Sequence, residues 1–256
     1  MEEIIIKFNT KVDKNLIANL RKNWESYHLN NFDHIINFAA GLTCDLYEHP
    51  NVCDLTLIMV YHVFALDYFI QNGKESKMLD DFITNKLSAL INENLVNAYK
   101  LHLNYWAVST DWEKTNVNKL CYGSEILWSD WRQLNIGMKV IYYTLNCFIN
   151  KNIKIDTLKR FHEINALNAF CNGIAILNDI ASYHKDSLKK DELNYYHVCD
   201  KPPDDLDNTF ATMCNELKRY EENLDKINYS IMMSIFKGNY INYKFSYRYK
   251  KENDNW

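Results

Sequence analysis

Three oxygen-bearing side chains recur at four-residue intervals in the second half of the chain: Asn178, Ser182 and Asp186. On a helix, each would lie about 6 Å further along the axis than the last, with about 40° of rotation, so the three would form one stripe. An amide, a hydroxyl and a carboxylate suit a hard cation such as Mg²⁺, which prefers oxygen ligands and shares its shell with water and phosphate. The same spacing is also typical of the solvent-exposed side of an amphipathic helix.

The elements that position this stripe are predicted to be helices. The chain has only 6 Gly and 3 Pro among 256 residues, too few for the turns of a fold built from many short strands. Apolar residues from Leu55 to Ile70 recur every three or four positions, which predicts a core helix ending near Asn72 and Gly73. The same period occurs in 12–28, 82–106, 124–149, 157–184 and 205–236. We expect an all-α fold of about ten helices in one domain, residues 1–256.

Composition excludes several other classes of protein. The net charge of −4 argues against a general nucleic-acid binder, and we expect no nucleic-acid partner. The longest apolar stretch, Leu55 to Ile70, is short for a membrane span and contains Asp67, so we expect none. Seven cysteines without a CxxC pair and an acidic start of the chain favour a cytoplasmic protein.

The residues around the stripe resemble a known metal motif. The run Asn178-Asp179-Ile180-x-Ser182-x-x-Lys185-Asp186 resembles the second metal motif of class I terpene synthases, Asn-Asp-(Leu/Ile/Val)-x-Ser-x-x-x-(Glu/Asp), which often has Lys before the final acid. The resemblance implies that Asn178, Ser182 and Asp186 are metal ligands that act in catalysis, and that Lys185 binds the substrate diphosphate.

An upstream arginine fits the same family. Arg132 lies 46 residues before Asn178, in a segment ending at Gly137 that is similar to the family's Arg-Arg-x-Thr-x-Gly. There the arginine senses the diphosphate, and the helix breaks at the glycine. The second arginine of the pair is replaced here by Gln133. The resemblance implies that Arg132 binds diphosphate and acts in catalysis, a task that suits its planar donor fork.

The end of the chain carries a third similarity. Arg248-Tyr249 follows Gly238-Asn239 at a short distance, as in the family's Gly-Asn and Arg-Tyr ending. The resemblance implies that both side chains bind the diphosphate when the site closes. This reading displaces a nucleic-acid interpretation of the basic and aromatic tail, although a solvated terminal segment remains the alternative.

The family's aspartate-rich motif is reduced in this chain. The run Phe64-x-x-Asp67-Tyr68-x-x-Gln71 occupies the place of Phe-x-x-Asp-Asp-x-x-Asp, so only the first acid is kept. The resemblance implies that Asp67 is a catalytic metal ligand, while an ordinary ion pair is the alternative. The acidic pair at positions 80 and 81 lies on the next segment, and we expect it to be surface charge.

Two apolar residues are candidates for the wall of the substrate pocket. Phe64 precedes Asp67 by about one turn and Ile174 precedes Asn178 by about one turn, so each would face the same cavity as its ligand. Core packing is the alternative for both. Weaker wall candidates are Tyr61, Trp128 and Phe170.

The resemblance covers about residues 17–249 and implies a terpene synthase-like helical bundle around a central cavity. It implies a carbon–oxygen lyase that ionises a linear isoprenyl diphosphate with Mg²⁺, up to three ions, or with Mn²⁺ as the alternative metal. Farnesyl diphosphate, giving a sesquiterpene, is the commonest family substrate; geranyl and geranylgeranyl diphosphate stay open. A monomer and a homodimer are both open. The rival hypothesis is a non-catalytic helical protein that binds an isoprenyl diphosphate or a protein partner.

Overall fold

The computed structural model describes residues 1–116, 125–150, 157–189 and 194–245. Within these ranges the chain forms helices and no strand, which confirms the predicted all-α class. The described helices are α1 (Glu2–Lys11), α2 (Lys14–Ser26), α3 (Phe32–Leu42), α4 (Val52–Gln71), α5 (Lys77–Ser88), α6 (Glu93–Asn116), α7 (Glu125–Asn135), α8 (Met138–Ile149), α9 (Thr157–Lys189), α10 (Tyr195–Val198), α11 (Leu206–Lys218) and α12 (Lys226–Phe245).

The predicted core helix is α4, which is buried almost throughout and packs against α2, α3, α5, α6 and α8. It ends where the sequence predicts, because Asn72 follows its last turn and Gly73 adopts a left-handed φ of +61°. Among the described residues, α4 is the one helix long and apolar enough to cross a membrane, but 67% of its apolar stretch is buried inside the protein. Such burial is typical of a central bundle helix.

Three of the predicted helical stretches are divided in the structure. The stretch 82–106 contains the end of α5 and the start of α6, and 205–236 contains α11 and part of α12. The stretch 124–149 divides into α7 and α8 at Gly137, whose φ of +74° ends the helical path. The described helices therefore number twelve rather than about ten.

The α7–α8 break is fixed by contacts with α6. Trp106 Nε1 donates a hydrogen bond of 2.8 Å to the backbone oxygen of Asn135, the last residue of α7. A Cβ atom at Gly137 would lie 3.3 Å from the same indole nitrogen, so the indole packs closely against the break. These contacts set the direction of α7, which carries Arg132.

The last described helix closes the bundle by backbone contact with α3. A Cβ atom at Gly238 would lie 2.3 Å from the carbonyl oxygen of Gly41, so a side chain at this position would force the two helices apart. Ser234 Oγ donates 3.0 Å to Leu42 O, and Asn242 Nδ2 donates 3.2 Å to Phe38 O. Helix α12 also packs on α8 and α9, so it connects α3 to the helix that carries the predicted metal ligands.

Candidate functional site

Helix α9 places the three predicted metal ligands on consecutive turns. Ser182 is 3% exposed and Asp186 is 8% exposed, while Asn178 is half-buried. Ser182 Oγ donates a short hydrogen bond to Asp186 Oδ2. The stripe therefore faces the protein interior at Ser182 and Asp186, and the side-chain oxygen atoms of these two residues are in contact.

Arg132 of α7 reaches this stripe. Its Nη2 donates 3.0 Å to Asn178 Oδ1 and 2.7 Å to Asp179 Oδ1, and its Nη1 donates 2.7 Å to Asn135 Oδ1. Asn135 in turn donates 2.7 Å from Nδ2 to Glu113 Oε2 on α6. One hydrogen-bonded network thus joins α6, α7 and α9 around a guanidinium group.

Burial makes the ion pair between Arg132 and Asp179 energetically significant. The two side chains are 14% and 1% exposed. Burial lowers the pKa of Arg132, but the charges of Asp179 and Glu113 outweigh this effect and hold that pKa above its ordinary value. Burial raises the pKa of Asp179, against the opposing effects of Arg132 and of the Tyr195 backbone N–H. Removing either partner would leave a buried group uncompensated.

One donor of the guanidinium group is still without a partner. Among the described residues, Arg132 Nε is buried and makes no hydrogen bond, and Trp131 Nε1 on the preceding residue is in the same state. Buried polar groups are nearly always hydrogen-bonded, so an unpartnered donor on this guanidinium group is unusual. One N–H of Arg132 is therefore not used by contacts within the described part of the protein.

Two residues of this hydrogen-bonded network were not predicted from the sequence. Asp179 lies inside the motif, but the resemblance implies a role for its neighbour Asn178 and none for Asp179. Asn194, just before α10, donates from Nδ2 to Asp179 O at 2.8 Å and to Asp186 Oδ2 at 2.9 Å. No local pattern marks Asn194, because its partners are 15 and 8 residues away on another element.

The other predicted site residues include a candidate diphosphate ligand and two candidate pocket walls. Lys185 Nζ lies 3.8 Å from Asp186 Oδ1, next to the predicted metal ligands. Ile174 is fully buried and Phe64 is half-buried, and both belong to the main hydrophobic core. The centroid of the Phe64 ring lies 5.3 Å from that of Phe38, which is a contact of core packing. The role of Phe64 and Ile174 as pocket walls stays a prediction. Arg248 and Tyr249 lie outside the described residues.

Asp67 lies on α4, which is far from α9 in the sequence. Its Oδ2 accepts a hydrogen bond of 2.9 Å from Gln71 Nε2, the residue that stands in the place of the family's third acid. Asp67 follows Val63 by one turn, and Val63 Cγ1 lies 3.7 Å from the position of a Cβ atom at Gly137. The Val63 side of α4 thus packs against the α7–α8 break. The role of Asp67 in a first metal position stays a prediction.

The expectation of surface charge at positions 80 and 81 holds only in part for Asp80, whose side chain is 40% exposed but contacts a buried histidine. Asp80 Oδ1 lies 2.9 Å from Nε2 of the buried His62, and Ser76 Oγ donates 2.8 Å to Asp80 Oδ2. The other imidazole nitrogen of His62 lies 3.0 Å from the hydroxyl oxygen of Tyr99. Burial lowers the pKa of His62 although Asp80 opposes this, while the His62 and Ser76 hydrogen bonds hold the pKa of Asp80 low against burial. Asp81 is exposed as expected.

This histidine borders a cavity of about 520 Å³ between α4, α5 and α6. Leu66, Ile83 and Leu103 give it an apolar lining, and Lys100 lies at its side. Both ring nitrogens of His62 have partners, so a neutral imidazole can satisfy them with one donor and one acceptor. These contacts give His62 a structural role, holding α4, α5 and α6 together.

No three side chains of the types His, Cys, Asp and Glu come together as a metal-binding group within the described part of the chain. The α9 stripe is a donor set of another kind, because it combines an amide, a hydroxyl and one acid. The sequence matches no model of a known protein family and no curated protein.

Proposed function

We propose that this protein is a magnesium-dependent class I terpene synthase that acts on a linear isoprenyl diphosphate, farnesyl diphosphate in the first instance. The observation that carries the proposal is the contact of Arg132 with Asn178 and Asp179. It puts a buried cation with an unpartnered donor beside the oxygen ligands expected for the metal. A diphosphate leaving group needs both kinds of partner at one end of its site.

The α9 donor set fits Mg²⁺. The side chains of Asn178, Ser182 and Asp186 can each present an oxygen ligand, and the neighbouring oxygen atoms of Ser182 and Asp186 support binding of one small ion between them. With a single carboxylate, this set leaves ligand positions for diphosphate oxygens and water. When bound, the metal supplies Lewis-acid stabilisation of the departing diphosphate. Asp67 is proposed to add a carboxylate from α4.

The reaction breaks the bond between the allylic carbon and the ester oxygen, and the electron pair leaves with the diphosphate. Arg132 and Lys185 bind the charge that develops on the leaving oxygens, with Arg248 and Tyr249 proposed as further donors. Asp179 keeps Arg132 charged and correctly oriented. The allylic cation then loses a proton to give an olefin, or binds a water molecule that loses a proton to give an alcohol.

The apolar part of the site must exclude water while the cation exists. Phe64, one turn from Asp67, is proposed to present its ring to the substrate chain, because the face of an aromatic ring attracts positive charge. Ile174 is proposed to supply an inert wall one turn from Asn178.

The direct test is incubation of the purified protein with Mg²⁺ and geranyl, farnesyl or geranylgeranyl diphosphate, followed by analysis of volatile products. We expect product from the wild type and loss of turnover in Asn178→Ala and Ser182→Ala, with helical circular dichroism retained. Ser187→Ala is the matched control, since Ser187 is an exposed serine of the same helix, bonded only to the backbone of Tyr183 and to His197 among the described contacts. Unchanged product formation in both site variants would overturn the ligand assignment.

A non-catalytic diphosphate-binding protein is the second candidate. It is favoured by the reduced first motif, in which Gln71 replaces an acid and bonds to Asp67. This candidate predicts that no substrate gives product, while diphosphate with Mg²⁺ still raises the melting temperature.

A further inference from the structure

The segment 194–198, here called the strap, packs against α9 and α7 beside the motif of α9. Asn194 is 3% exposed, and its Nδ2 donates one hydrogen bond to Asp179 O and one to Asp186 Oδ2. Its Oδ1 accepts from the backbone N–H of Tyr196 at 3.1 Å, which caps α10. The whole amide group of Asn194 is therefore engaged, and two of its bonds hold residues of the metal motif.

The next residue of the strap holds the other side of the network. The backbone N–H of Tyr195 donates 2.7 Å to Asp179 Oδ2, while Asp179 Oδ1 accepts from Arg132. The Tyr195 ring packs against Trp128 of α7 with ring centroids 4.9 Å apart. Lys201 Nζ donates 2.9 Å to the Tyr195 hydroxyl oxygen and fixes the ring from the other end. The strap is thus connected to both α7 and α9.

These bonds form one continuous path from Asp186 through Asn194 and Asp179 to Arg132. We propose that Asn194 is a positioning residue, which orients the Asp186 carboxylate for the divalent metal and couples it to the Asp179–Arg132 pair that binds diphosphate. The proposal rests on the proposed function. Coupling of this kind is reciprocal, so Mg²⁺ raises the affinity for diphosphate by the factor with which diphosphate raises the affinity for Mg²⁺.

The variant Asn194→Asp tests the positioning role with little change of shape. Aspartate caps a helix as well as asparagine does, so the bond from Tyr196 N is retained. The Nδ2 donor is replaced by a carboxylate oxygen that faces Asp186 and the Asp179 carbonyl group. Asn194→Ser keeps a capping oxygen and adds no charge, so it serves as the second variant.

The measurement is calorimetric titration with inorganic diphosphate at several Mg²⁺ concentrations. We expect Asn194→Asp to weaken the Mg²⁺-dependent binding on the order of 10–100-fold, with Asn194→Ser between it and the wild type. The Mg²⁺-dependence of diphosphate affinity should fall in the same order. The control is Tyr196→Phe. It removes a hydrogen bond of 3.1 Å from this strap residue to Asp204, which lies outside the strap, and it leaves the bonds to the motif in place. It should stay close to the wild type.

The outcomes separate this inference from the proposed function. A wild-type protein that binds no diphosphate at any Mg²⁺ concentration refutes the proposed function, and the inference with it. Wild-type binding that is Mg²⁺-dependent but unchanged in the Asn194 variants refutes the inference alone. Equal weakening with and without Mg²⁺ would also overturn it, because that result indicates general loosening of the strap. Circular dichroism checks that each variant is folded.

Discussion

The buried ion pair of the site gives the sharpest prediction, the effect of Asp179→Asn. The carboxylate accepts Arg132 Nη2 on Oδ1 and the Tyr195 N–H on Oδ2, both at 2.7 Å. An asparagine of the same shape has one oxygen and one NH₂ group. Whichever way the amide turns, its NH₂ group faces a donor, so one of the two bonds is replaced by a repulsive contact.

The magnitude follows from burial. Asp179 is 1% exposed, so the substitution leaves the positive charge of Arg132 in the interior without its main counter-charge. Breaking a buried pair in this way costs about 3–5 kcal/mol. For a domain of this size, the loss corresponds to a fall in melting temperature of roughly 6–20 °C.

The assay is thermal and urea unfolding followed by circular dichroism. Asp33→Asn is the matched control, because Asp33 Oδ1 also lies 2.7 Å from an arginine Nη2, that of Arg21, but the side chains are 76% and 39% exposed. An exposed pair of this kind is worth about 1 kcal/mol or less. The reasoning about burial is refuted if Asp179→Asn destabilises the protein no more than Asp33→Asn does.

Three further predictions concern the bundle and the first motif. Gly238→Ala should cost about 3 kcal/mol of unfolding free energy, because its Cβ meets backbone at 2.3 Å, whereas Gly73→Ala, in open space, should cost about 1 kcal/mol from its positive φ; equal losses in urea unfolding would contradict this. Burial lowers the pKa of His62 in the folded protein, so below the ordinary histidine pKa of 6.5 the unfolded chain binds more protons than the folded one. The stability of the wild type should therefore fall as the pH drops through 6.5. An equally steep fall in His62→Gln would exclude His62 as the cause. Asp67→Asn should reduce turnover more than Asp80→Asn, which instead disturbs the contact with His62; the reverse order in steady-state assays would put the first metal position on the wrong segment.

Periodicity predicts the helices well where a breaking residue coincides with the end of the apolar pattern. Helix α4 is such a case, since Asn72 and Gly73 follow its last turn. The break between α5 and α6 is hidden, because Leu90 and Ile91 lie between the two helices and continue the apolar pattern without Gly or Pro. Backbone geometry, and not composition, divides that stretch.

The site divides in a similar way between predictable and hidden parts. Four-residue spacing on one helix is sufficient to place Ser182 beside Asp186, because helix geometry relates them directly. The contacts of Asn194 depend on how the chain returns after α9, and those of His62 depend on the packing of α5 and α6 against α4. Such contacts are set by tertiary packing and have no local sequence pattern.

We propose that α9 and α4 hold divalent ions against a diphosphate group bound by Arg132. The most direct measurement is a crystal structure of the protein with Mg²⁺ and diphosphate. We expect ions coordinated by Asn178, Ser182 and Asp186, an ion at Asp67, and a diphosphate oxygen within hydrogen-bond distance of Arg132. Diphosphate bound elsewhere, with no ion at Ser182 and Asp186, would contradict it.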